Sequence, residues 1–105
     1  MNITEIRNKT IAARAAKNSK FADEFRNSPL KEYIDKRINE VAEEGESELW
    51  LDFYAVKQRI LGHKYGGPLM SSVIHHYQNE GFTAASRPAP APDGYEIIAL
   101  VISWM

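Results

Sequence analysis

The sequence predicts an α+β fold, with a helical N-terminal half followed by a C-terminal β-hairpin. Three observations carry this expectation: Leu30, Tyr33, Ile34, Ile38 and Val41 recur at helical spacing, the period changes after Gly81, and Ile97 through Ile102 is apolar without interruption. A chain of 105 residues, 44% hydrophobic and 26% charged, can fill one small core and excludes a large multilayer enzyme. Two segments are expected, a basic N-terminal helix over residues 1–27 that can serve as a docking arm and a compact α+β domain over 28–105.

The first helix is expected to begin by residue 5, because Asn2 and Glu5 have capping-box spacing, with Thr4 as a rival cap. The run Ala12-Ala13-Arg14-Ala15-Ala16 favours helix but offers little apolar surface. Phe21 and Phe25, four apart, anchor the segment if the helix continues through Asn18-Ser19. A second helix follows from Ser28 as cap and Pro29 at the first helical position, and Gly45 ends it. Glu48 to Tyr54 suits a strand, while Leu49, Phe53, Val56 and Ile60 also form a helical stripe; a short extended entry turning into a helix near Asp52 reconciles them, with Val56, Ile60 and Leu61 inward and Gly62 or Gly66-Gly67 at its end. Pro68 is expected to open a fourth helix, with Leu69, Val73, Ile74 and Tyr77 on its buried side and Gly81 as its stop.

Phe82 to Ala85 then reads as one strand and Tyr95 to Trp104 as a longer, central one. Between them, Pro88, Pro90, Pro92 and Asp93-Gly94 suggest a semi-rigid exposed loop over 86–94 rather than ladder-forming backbone. Trp104 is expected either to close the core or to sit at an intersubunit contact.

The net charge of −1 is unevenly spread. Residues 1–20 carry Arg7, Lys9, Arg14, Lys17 and Lys20 against Glu5 alone, whereas residues 21–48 hold nine acids, including Glu40, Glu43, Glu44, Glu46 and Glu48, against four cations. On a face shared with the basic segment such an acidic cluster would repel a nucleic-acid backbone, which argues against the whole surface being a nucleic-acid footprint.

With no cysteine, disulfides, cysteine-based metal sites and thiol nucleophiles are excluded. The start Met1-Asn2-Ile3-Thr4-Glu5 leads into a polar segment, and no run of 18 apolar residues occurs, so neither a signal peptide nor a membrane span is expected. His75 and His76 are adjacent rather than four apart on a helix and make a poor metal pair. Asp52, His63 or His75, and Ser71 or Ser72 lack any sequence-specified oxyanion site. Gly66-Gly67-Pro68 lacks the rest of a phosphate-binding loop. No catalytic, cofactor-binding or metal-ligating residue is therefore assigned, no cofactor is expected, and the chain is not expected to be an enzyme.

The order helix, strand, helix, helix, hairpin is compatible with a winged-helix arrangement, with Pro68 to Asn79 as recognition helix and 86–94 as wing. That helix offers Ser71, Ser72, His75, His76, Gln78 and Asn79 but no Arg or Lys, and the wing only Arg87. DNA binding is thus the alternative to a protein-binding module. For the latter, the expected contacts are Phe21, Phe25, Trp50 and Trp104 as apolar anchors, Pro88 and Pro90 as a preordered surface, and Arg7, Arg14 and Arg87 as charges that steer approach. The partner is another protein or a second copy of the chain; nucleic acid is the weaker option and a membrane is not expected.

Val73 to Gly81-Phe82 and Tyr95 to Ile102-Ser103-Trp104 together resemble small accessory proteins of tailed bacteriophages, which end in a helix, a Gly-aromatic turn and a final strand containing Ile-Ser-Trp. The resemblance spans roughly the last 40 residues and transfers no active residue. It implies a small intracellular modulator or assembly factor in the cytoplasm, the host's if the chain is phage-encoded.

Overall fold

The computed structural model describes residues 2–64, 66–90 and 94–105. Its elements are α1 (Ile3–Arg26), α2 (Pro29–Glu43), β1 (Glu48–Asp52), α3 (Phe53–Leu61), α4 (Met70–Asn79), β2 (Thr83–Pro90) and β3 (Glu96–Ser103). This is the expected α+β fold, helical in its N-terminal half and closed by C-terminal strands.

Local chemistry sets most of the boundaries. Asn2 Oδ1 accepts the Glu5 N–H at 2.9 Å and starts α1, which runs unbroken through Asn18-Ser19. Asp52 Oδ1 accepts the Ala55 N–H at 3.3 Å and starts α3, and Gly62, at φ 73°, ends it. Both α2 and α4 close in Schellman turns: the Gly45 and Glu46 N–H groups reach Ala42 and Val41, and those of Gly81 and Phe82 reach Gln78 and Tyr77. Gly45 and Gly81 have φ 85° and 98°, a region that costs other residues dearly.

The start of α2 falls where expected but without its capping bond, and the start of α4 differs. Ser28 holds the N-cap position of α2, but its hydroxyl donates to the Phe25 carbonyl at 2.8 Å instead of capping, because the chain doubles back from α1 at that point. Pro68 does not open α4; the helix starts at Met70 with Leu69 as N-cap, since the buried Pro68 carbonyl is held by Lys57 Nζ at 3.3 Å.

The sheet is antiparallel in the order β1-β3-β2, so β3 is central as expected. Leu49 pairs with Ile102, Leu51 with Leu100, and Ala84 with Ile102, and these side chains form one inner face. Against it pack Leu30, Ile34 and Val41 of α2, Phe53 and Val56 of α3, and Met70, Val73 and Tyr77 of α4. Phe25 joins this core from α1, edge-on to His76 and Tyr77 at 5.2 and 5.9 Å between centroids.

The strand β2 corrects the expectation of a loop from residue 86. It continues to Pro90, with Ser86 opposite Leu100, Pro88 opposite Ile98 and Pro90 opposite Glu96. Successive N–H groups of a strand point to opposite sides, so prolines two apart lose theirs on the same side. On an edge strand that side faces away from the ladder, and no bond to β3 is sacrificed. The expected turn at Asp93-Gly94, like Pro92, involves residues outside those described.

The arm-like part of α1 is distinct: residues 2–17 are exposed throughout. At 1.5 Å per residue the helix is ~36 Å long, and the molecule measures 56 × 32 × 24 Å. No described helix is long and apolar enough to cross a membrane.

Candidate functional site

The inner face of the hairpin outruns the core. Beyond Leu100, the next inward residue of β3 is Ile98, opposite Pro88, and the helices do not cover it; it is 45% exposed. The starts of α3 and α4 stand beside this end of the sheet, and a groove of about 470 Å³ opens between the three elements. Tyr54 and Lys57 come from α3, Leu69, Met70, Ser71 and Ile74 from the start of α4, and Ser86 and Ile98 from the hairpin. Tyr54 and Leu69 are 39% and 38% exposed, so the rim is apolar and open to solvent. Leu69 was expected on the buried side of α4; as the N-cap it precedes the first helical turn and escapes that face.

Lys57 is the unusual member. It is 1% exposed, among the most buried side chains in the molecule, and its ammonium lies 5.5 and 5.7 Å from the ring centroids of Phe53 and Tyr54. Its one hydrogen bond goes to the Pro68 carbonyl, and among the described residues no carboxylate pairs with it. Burial holds the amine below the usual lysine range.

Further concavities lie elsewhere on the surface. On the outer face of the sheet, Trp50 and Arg87 line a shallow cleft of about 240 Å³ with Val101 between them in the paired strands; the Trp50 indole N–H is taken by Glu48. Between α1 and α4, Ser19 and Arg26 face Ser71, Ser72, His75 and His76 across about 570 Å³. The Arg26 guanidinium is committed to Asp23, and His76 Nε2 lies 3.2 Å from Glu80. Asp52, spent as the cap of α3, does not line that cleft, so the paper triad of Asp52, His75 and Ser71 or Ser72 is not assembled. Among the described residues no three acids, histidines or cysteines are grouped to hold a metal ion.

The residues singled out from sequence are scattered. Arg7 and Arg14 lie on the exposed arm, and Phe21 is half-buried further along the same helix. Trp50, 48% exposed, and Arg87 share the outer cleft, while Pro88 and Pro90 are exposed along the edge strand. Phe25 and Trp104 lie deeper than the other expected contacts. Phe25 is sealed in the core, and Trp104 is partly buried, its ring edge-on to Phe82 at 6.4 Å and its backbone N–H donated to the Ser47 carbonyl. Sequence reasoning missed Tyr54, Lys57, Leu69 and Ile98; the one available signal was that β3 is apolar on both alternating faces while one helical layer covers only part of it.

No protein-family model, curated protein or solved structure matches this chain.

Proposed function

We propose that this protein is a small protein-binding module, acting by occupancy rather than turnover, and that its partner seats on the groove between the starts of α3 and α4 and the hairpin. The observation that carries this reading is the open apolar rim of Tyr54, Leu69 and Ile98 around a concave site of ligand-binding size. The likeness of the Ile102-Ser103-Trp104 ending to phage accessory proteins supports, within the same proposal, a modulator or assembly-factor role in the cytoplasm. In the decisive experiment, p-benzoylphenylalanine replaces Ile98 in one sample and solvent-facing Glu43 in another, followed by irradiation in the native cell. A stoichiometric adduct from position 98 alone is expected; a second copy in that adduct identifies a homo-oligomer. Recovery of only free protein from both positions overturns the reading.

A second reading, winged-helix-like DNA binding, draws on the helix-strand-helix-helix-hairpin order from α2 to β3 and on the exposed cations of α1. Against it, the exposed residues of α4 are Ser71, His75, Gln78 and Asn79, none a fixed cation, and α1 lies along one flank of that helix. A labelled duplex retained at low salt, and released when Arg7, Arg14 and Lys17 are replaced by Ala, would favour DNA.

A further inference from the structure

We infer that the groove selects a protein segment carrying an Asp or Glu side chain between apolar residues, with the carboxylate received by Lys57 at the start of α4. This rests on the protein-binding reading and names what the partner must present.

Three independent features converge on a carboxylate. First, Lys57 stands in the groove wall as a buried cation with three N–H donors, one of which is used by Pro68, and it meets no carboxylate among the described residues. An ammonium removed from water without a counter-charge is costly, and an incoming anion relieves that cost at the moment of binding. Second, the wall next to Lys57 is the first turn of α4, whose N-cap is Leu69. Leucine brings no acceptor, so the first-turn N–H groups receive no side-chain cap, and the positive end of the helix adds to the lysine charge. Third, the rest of the lining is mostly apolar, with Met70, Ile74, Ile98 and the Tyr54 ring beside Ser71 and Ser86, which suits apolar neighbours of the acid and disfavours a bare hydrated anion.

The chemistry is recognition alone: the lysine N–H groups donate, the carboxylate accepts, and no covalent bond changes. Aromatic faces at 5.5 and 5.7 Å stabilise the cation without consuming its donors. A neutral amide in place of the acid keeps the shape but leaves the ion unpaired, so the site discriminates Asp from Asn by charge.

The test is an array of end-blocked octapeptides in which Asp, Glu, Asn or Gln sits between Leu, Ile, Phe or Trp residues, probed with the full chain. Binding of acid-bearing peptides at least tenfold tighter than their amide isosteres is expected, with that preference lost in Lys57→Met. The wild-type protein provides a readout that needs no variant: the Lys57 side-chain ¹⁵N and the Ile98 methyl resonances should move together on addition of the best Asp peptide. Peptides that shift Ile98 with no acid preference overturn this inference and leave the groove as a protein-binding site. Peptides of neither kind shifting Ile98, together with no adduct from position 98, overturn both.

Discussion

Tyr77 of α4 donates its hydroxyl to Asp35 of α2 at 2.7 Å, across 42 residues of sequence, and the other Asp35 oxygen receives Lys31 Nζ at 2.6 Å. This bond ties the two helices on top of the sheet. The Tyr77 ring meets Phe25, His76 and Phe82 edge-on, so one side chain joins α1, α2, α4 and the turn into β2.

Burial and the Asp35 bond push the Tyr77 phenol far above its ordinary value of 10. A group whose folded pKa is raised contributes fully below its unfolded pKa and loses that contribution above it. Stability should therefore fall as pH rises beyond about 10. Tyr77→Phe should cost about 1.5–3 kcal/mol at neutral pH, the range for a hydrogen bond to a charged group, and should flatten the alkaline fall. Urea unfolding at pH 7 and pH 11 checks both; an equal alkaline loss in the variant would remove Tyr77 as its source.

Lys57 gives the opposite slope in a lower window. Its folded pKa is depressed below 10.5, so between the two values the unfolded chain binds more protons and stability rises with pH. Comparing wild type with Lys57→Met at pH 7 and pH 9.5 should show a rise in the wild type that the variant lacks. Parallel pH profiles would mean that the amine is as well solvated folded as unfolded.

The two ends of α1 should differ in what they contribute. Phe25→Ala removes a fully buried ring and should cost about 3–5 kcal/mol. Deleting residues 2–17, exposed along their whole length, should change stability by no more than about 0.5 kcal/mol, as for surface changes that touch no core. Amide exchange should agree, with fast exchange over the first turns and protection near Phe25.

The prolines of β2 keep one edge of the sheet from accepting another strand. Pro88→Val with Pro90→Val restores two N–H donors on that edge. Sedimentation of the double variant should reveal self-association at concentrations where the parent chain shows none, with no loss of stability in the monomer.

Legibility from sequence followed the range of the interactions. Caps and stops lie within five residues, so Asn2, Asp52, Gly45 and Gly81 could be read directly, and so could the stripe of α2. Proline hides β2 because each Pro taken singly is a loop signal, whereas their spacing of two is compatible with an edge strand. Lys57 sits in Val56-Lys57-Gln58-Arg59, where nothing marks it as different from a solvated lysine. Its burial comes from Pro68, eleven residues away, and from the rings beside it. The groove has the same origin: Ile98 is exposed because a hairpin extended to Pro90 is longer than the helices packed on it.

The unequal borders of this three-stranded sheet also limit polymerisation. Strand addition on the β2 side meets missing donors at Pro88 and Pro90, leaving the five residues of β1 as the border without prolines. Two molecules joined through β1 would each present the proline-bearing border outward, which disfavours growth beyond a pair into a fibre.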